Sequence, residues 1–241
     1  FLGDLILEHL FLRQHGDELT GRHGEGAGVF GVNDGLVSNT CLVMGVAGAA
    51  VESGIILVTG VAGLLAGAFS MAAGEFISML SQKEMFEYQI AQEKDELERY
   101  PAEEAEELAL IYAARGIPLD DARNITKKLI ANPEQALDTL AREELGLNPD
   151  DLGSPIGAAL SSFLAFCIGA SLPLIPFLFG LSQGVLIAAT LSGAALFAVG
   201  AALSLFSGKG ALLGGLRMLL IGSVAAAATY MIGSLFNVSG L

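Results

Sequence analysis

Residues 29–51 read VFGVNDGLVSNTCLVMGVAGAAV, an apolar run whose sole ionisable side chain is Asp34. A run of that length spans a bilayer as a helix. A carboxylate inside such a span costs roughly 2.5 to 3.5 kcal/mol on insertion scales, so it usually faces a bundle interior or a water-filled path and has a task there. Asp34 is therefore the first candidate functional residue, and the alternative is a structural hydrogen bond to backbone or serine. The whole chain agrees with the span: 241 residues are 53% hydrophobic and only 16% charged, with a mean hydropathy of +0.60. Such a composition describes an integral membrane protein with room for one modest soluble domain, and it excludes a soluble enzyme.

Upstream of this run, FLGDLILEHLFLRQ (1–14) places Leu2, Leu5, Ile6 and Leu10 near one helical face, with Asp4, Glu8 and Arg13 elsewhere. That pattern predicts an interfacial amphipathic segment within residues 1–28, followed by a glycine-rich linker at 21–28. The chain begins at Phe1 rather than methionine, so residues are expected upstream, and no cleavable signal peptide is read. Downstream, Glu52–Gly54 form a short turn, and a second apolar run extends from Ile55 to about Leu80 with one acid, Glu75. No breaker follows, so the helix should project from the membrane as far as Tyr100, on the order of 68 Å in all. Pro101 opens a new helix that Gly116 ends, a second runs from about Leu119 to Ala131, and a third has Asn132 as N-cap, Pro133 at its first position and Gly146 beyond its end.

From Pro155 to Gly208 there is no charged residue, which is room for two spans, about 155–179 and 183–206. A fifth runs from about Leu212 to Phe236. The fold class expected is thus an all-α membrane protein: spans one and two within 29–82, a three-helix acidic domain at 83–153, and spans three to five within 154–241. All 12 Lys and Arg residues fall before span one, between spans two and three, or near the start of span five. By the positive-inside bias these segments are cytoplasmic, as is the N-terminus, and the C-terminus lies outside.

The net charge of −14 is concentrated, because Glu84–Asp151 holds 18 acidic against 7 basic residues. Such a surface repels nucleic acid and attracts cations, so divalent metal ions are the natural ligands. Within that region Glu84/Glu87, Glu93/Glu96, Glu103/Glu106 and Glu104/Glu107 are all spaced i, i+3, which stacks two carboxylates on one helix face. Like charges there destabilise a helix unless a cation neutralises them, so the spacing fits a carboxylate cage that Glu143 and Glu144 would close. It fits a solvated acidic face equally well. In the spans, Met44, Met71 and Met79 offer thioethers beside Asp34 and Glu75, giving either soft metal ligands or ordinary gap fillers. Gly31/Gly35 and Gly63/Gly67 are GxxxG pairs, a weak argument for dimerisation. The cysteines, Cys41 and Cys167, lie in apolar runs and argue for neither disulfide nor zinc site, and no histidine falls in the acidic region. Phosphate loops and nucleophile elbows are absent from the sequence, so nothing suggests a bound cofactor.

The segments FGVNDGLVSNTCLVMGVAGA, AGLLAGAFSMAAGEFISMLSQKE and SPIGAALSSFLAFCIGASLPLIPFLF resemble the vacuolar iron transporter family, over nearly the whole chain from Gly28 onward and in a bacterial-type form. The resemblance implies a homodimer of five-span, proton-coupled exporters of Fe²⁺, some also moving Mn²⁺, with a helical metal-binding domain between spans two and three. Asp34 then corresponds to the pathway aspartate of an N/S-D-G motif, and Met71 and Glu75 to the S-M-x-x-G-E motif. Glu93, Glu96, Glu104, Glu107 and Glu144 correspond to the family's metal-binding glutamates. One departure is visible: Leu140 and Ala141 stand where plant members carry a methionine pair, so a soft ligand is missing here.

Two functional classes remain. One is a secondary transporter, an antiporter in which Fe²⁺ (or Mn²⁺, with Zn²⁺ as a further ion bound) leaves the cytosol in exchange for protons. Metal and proton compete for the same carboxylates, since binding requires them ionised. The other is a membrane-anchored metal buffer or sensor, which would have no need of Asp34. A bacterial cell membrane is the expected location.

Overall fold

A computed structural model describes residues 23–239 of the chain, and the amphipathic segment expected at the N-terminus lies outside them apart from its last residues. The α-helices run His23–Gly48 (α1), Ser53–Arg99 (α2), Pro101–Ala114 (α3), Leu119–Ile130 (α4), Pro133–Glu143 (α5), Pro155–Ser171 (α6), Ile175–Leu178 (α7), Gly184–Phe206 (α8) and Ala211–Ser239 (α9). A 3₁₀ turn at Leu172–Leu174 joins α6 to α7, and no strand occurs among the described residues. The chain forms two compact units, residues 77–155 in one and residues 24–76 with 156–241 in the other. Helix α2 contributes to both.

Among the described residues, four stretches are long and apolar enough to cross a membrane: α2, α6 through α7, α8, and α9 as far as Phe236. The protein is a multi-pass membrane protein. Helix α1 is 26 residues long and carries Asn33, Asp34 and Asn39 among its apolar side chains. It begins at His23, so the expected linker glycines Gly24, Gly26 and Gly28 are helical. Glycine weakens a helix without forbidding one.

Small residues let these helices approach closely, the usual device where lipid removes any hydrophobic drive between them. A Cβ at Gly35 would overlap the Phe166 carbonyl oxygen, and one at Gly169 would overlap the Val32 carbonyl, so α1 and α6 meet backbone to backbone. Gly31 faces Ala165, Gly63 faces the end of Leu42, and Gly67 faces the Phe166 ring. Both GxxxG pairs are therefore consumed within the chain, and the argument drawn from them for dimerisation falls. The third span, expected as one helix over 155–179, is interrupted at Leu172–Leu174 because Pro173 and Pro176 carry no N–H to continue the ladder. The last carbonyls of α6 then need other donors. One is met from α1, where Asn39 Nδ2 donates to the Ala170 carbonyl oxygen at 2.6 Å.

The smaller unit is held by a compact apolar cluster of Leu97, Leu108, Ala136 and Leu140, flanked by Tyr112, Leu129, Ile130 and Leu137. Gly116 and Gly146 adopt positive φ (97° and 68°) in the turns after α3 and α5. Asn132 precedes α5 with an extended backbone, although its side chain makes no cap hydrogen bond. Arg142 pairs with both Asp138 and Asp150, and Met79 packs against Gly153.

The α1–α6 crossing yields a direct test. Gly35→Ala should lower stability by about 1 to 3 kcal/mol through overpacking, because its methyl meets rigid backbone rather than a flexible side chain. Gly54→Ala, where nothing lies within 4 Å, should be near neutral. Thermal unfolding of the two variants in detergent checks the contrast.

Candidate functional site

Glu93 on α2, Glu104 on α3 and Glu144 at the end of α5 bring carboxylate oxygens within 4.8 Å of one another. Local sequence explains why acids converge in an interior. Each stands one helical turn from a core leucine on the same face: Glu93 with Leu97, Glu104 with Leu108, and Glu144 with Leu140. Burying the leucines carries the glutamates inward, and Glu93 and Glu104 are each only 5% exposed. The one-residue link at Tyr100, with Pro101 opening α3, brings Glu93 and Glu104 together across the bend. The three acids line a cavity of about 620 Å³ with Glu96, Glu103, Glu107, Gln89, Gln92 and Tyr100.

Electrostatics sets the state of this cluster. Burial, followed by the charges of Glu144 and Glu104, pushes Glu93 up to about 9. Burial and then Glu107, Glu104 and Glu96 push Glu144 up to about 7. Glu104 is also raised, again mainly by burial, while a hydrogen bond with Glu93 pulls the other way. The metal-free cluster thus holds protons at neutral pH. A divalent cation would replace them and satisfy Glu93 Oε1, Glu104 Oε2 and Glu144 Oε2, which are buried without protein partners. All of these donors are oxygens. Leu140 and Ala141, fully buried, fill the core beside them.

Of the four i, i+3 pairs, Glu93/Glu96 and Glu104/Glu107 bring both members to the cavity and the other two do not. Glu103 reaches the cavity while Glu106 turns to Arg123 in a bidentate pair, and Glu143 pairs with Arg115 instead of closing a cage. Glu84 and Glu87 are exposed, the latter near Lys83, and neither lines the cavity. Gln89, Gln92 and Tyr100 escaped the sequence reading. Their i, i+4 offsets from Glu93 (Gln89) and from Glu96 (Gln92 and Tyr100) were the available signal.

A second cleft, of about 320 Å³, lies in the membrane unit. It is lined by Asp34, Ser38, Asn39 and Leu42 of α1, Gly63, Gly67, Ser70 and Met71 of α2, and Phe166 of α6. Asp34 and Met71 thus share one space. Glu75, one turn beyond Met71 and half-buried, does not line it. Met44 is buried among Val43, Ile56, Leu174 and Phe177 as a gap filler, and Met79 packs in the other unit.

Sequence comparison decides the family, since the profile of the VIT family matches residues 26–234. The chain belongs to the VIT family. A vacuolar iron transporter of Acanthamoeba castellanii is 38% identical over 218 residues, covering 87% of this chain and 77% of its own. Vacuolar iron transporter 1 of Arabidopsis thaliana is 31% identical, covering 84% of this chain and 82% of its own. A vacuolar iron transporter of Toxoplasma gondii is 32% identical over 241 residues, covering 91% and 80%. Members of the VIT family are transporters and not enzymes.

The raised acids carry a pH signature. They favour the folded metal-free protein below the ordinary glutamate range, and that advantage is lost as pH rises through about 7 and about 9. Metal binding at pH 7 should release at least about one proton per ion, with affinity rising towards pH 9. Calorimetry of Mn²⁺ binding to the full chain, in buffers of different ionisation enthalpy, measures the release. Glu93→Gln with Glu104→Gln should abolish it.

Proposed function

We propose that this protein is a proton-coupled secondary transporter that exports Fe²⁺, and Mn²⁺ as a related ion, from the cytosol. The carrying observation is the meeting of Asp34 and Met71 in one cleft between α1 and α2, a hard and a soft ligand inside the membrane unit. The names of the relatives support iron as cargo. In this reading α1 is a fifth span, whose Asp34, Ser38 and Asn39 serve the cleft. The N-terminus and the acidic unit are cytoplasmic and the C-terminus is outside, on the strength of the basic residues. A homodimer and a bacterial cell membrane complete the proposal; the first rests on the family resemblance alone, and the relatives' names say vacuolar.

Mechanistically, Glu93, Glu104 and Glu144, with Glu96 and Glu107 at the cavity wall, collect the ion and give up protons. The ion then binds Asp34 and Met71, with Glu75 as the next carboxylate along α2. Protonation of the emptied carboxylates on the far side favours release and return, because metal and proton compete for the same oxygens. A buffer or sensor would use the acidic cluster but would leave the Asp34–Met71 cleft without a purpose.

Liposomes containing the purified chain test the proposal. Fe²⁺ flux should accelerate when the compartment receiving the metal is the more acidic and should be insensitive to Na⁺. Asp34→Asn should reduce flux to background while the acidic cluster still binds metal. Wild-type flux from Asp34→Asn would remove the cleft from the pathway, and rates unmoved by collapsing the pH gradient would indicate a passive channel or another coupling ion.

A further inference from the structure

Among the cleft residues, Asn39 is singular. Its side chain is 2% exposed, and its Nδ2 donates to the Ala170 carbonyl. That bond settles the amide's orientation, since the flipped arrangement would set two acceptors against each other. The opposite end, Oδ1, is buried and has no protein partner. Asn39 lines the same cleft as Asp34 and Met71, and its Oδ1 stands opposite Gly63, where an added methyl would come within 3.2 Å of that oxygen. Asn33 Oδ1, Thr40 Oγ1, Ser162 Oγ and Ser192 Oγ of the membrane unit are also buried without partners, but none of these residues lines the cleft. The three hydroxyls can in addition rotate onto a carbonyl of their own helix, whereas an amide pinned at one end cannot.

The geometry points to Asn39 Oδ1 as a direct ligand of the transported cation, which completes the Asp34–Met71 site with a neutral hard donor. This rests on the transport reading above and adds to it a determinant of selectivity. An amide oxygen suits Mn²⁺ and Fe²⁺, while the Met71 thioether alone would favour softer ions. Being uncharged, it strengthens binding without adding a second anion that would hold the cation back at release. The α6 cap made by Nδ2 is what aims the oxygen.

The test uses the full chain in liposomes with Mn²⁺ and Zn²⁺ as probes. Asn39→Leu should raise KM for Mn²⁺ at least about tenfold and change that for Zn²⁺ much less, given the 10- to 100-fold losses typical even of outer-shell changes. Gly63→Ala leaves the Asn39–Ala170 bond in place but crowds Oδ1, so it should shift selectivity in the same direction, and it serves if Asn39→Leu fails to fold. Equal loss of rate for both metals at unchanged KM would overturn the proposal and leave Asn39 as a helix cap only. If the wild type carries neither metal, the transport reading fails separately. Mn²⁺ binding to the Glu93→Gln, Glu104→Gln, Glu144→Gln background then decides: binding lost on Asn39→Leu supports the ligand, and binding retained overturns it.

Discussion

The backbone contact between α1 and α6 at Gly35 and Gly169 is the constraint on which the membrane unit depends. Side chains larger than hydrogen at these points would separate the helices, and Asn39 could then no longer reach the Ala170 carbonyl. That reach matters because α6 ends early. Pro173 and Pro176 stop its ladder, and a carbonyl that in water would find a solvent donor must here find one in the protein. The same closeness brings Phe166 over Gly67 and so closes one wall of the cleft. Packing, capping and site shape are therefore one arrangement seen from three sides.

The acidic unit works by an opposed logic. Leucines one turn from each key glutamate gain by burial, and in doing so they force like charges together in an interior that resists ionisation. Proton uptake relieves the conflict in the metal-free protein, and a divalent cation relieves it otherwise. The unit is thereby built with a reason to bind.

Much of this was legible in the residues, for identifiable causes. Helix starts at Pro101 and Pro133 and turns at Gly116 and Gly146 rest on local backbone chemistry, which sequence shows directly. Asp34 stood out because a charge in an apolar run is conspicuous. The i, i+3 spacing picked out Glu93/Glu96 and Glu104/Glu107, which share the cavity, but spacing on one helix is blind to neighbours: Arg123 takes Glu106, and Arg115 takes Glu143, which had been expected to help close the cage. Asn39 passed unnoticed because a neutral amide carries no charge to flag it, though its cost in lipid was a signal as real as that of Asp34. The break at Pro173 and Pro176 was equally visible and was outweighed by continuous hydrophobicity.

The polar side chains within α1 have a consequence for how the molecule is made. Asn39 and Ala170 are separated by 131 positions, so at roughly 5 to 20 residues per second the ribosome needs on the order of ten seconds to supply the partner. Throughout that interval the nascent α1 carries Asn39 with no α6 carbonyl to take its amide. The α1–α6 crossing cannot form until α6 is made, and a chain that has not assembled is open to proteolysis. Substitutions at the crossing would then register first as reduced abundance in the cell, and an allele scored as inactive would be one whose chain was cleared before it assembled.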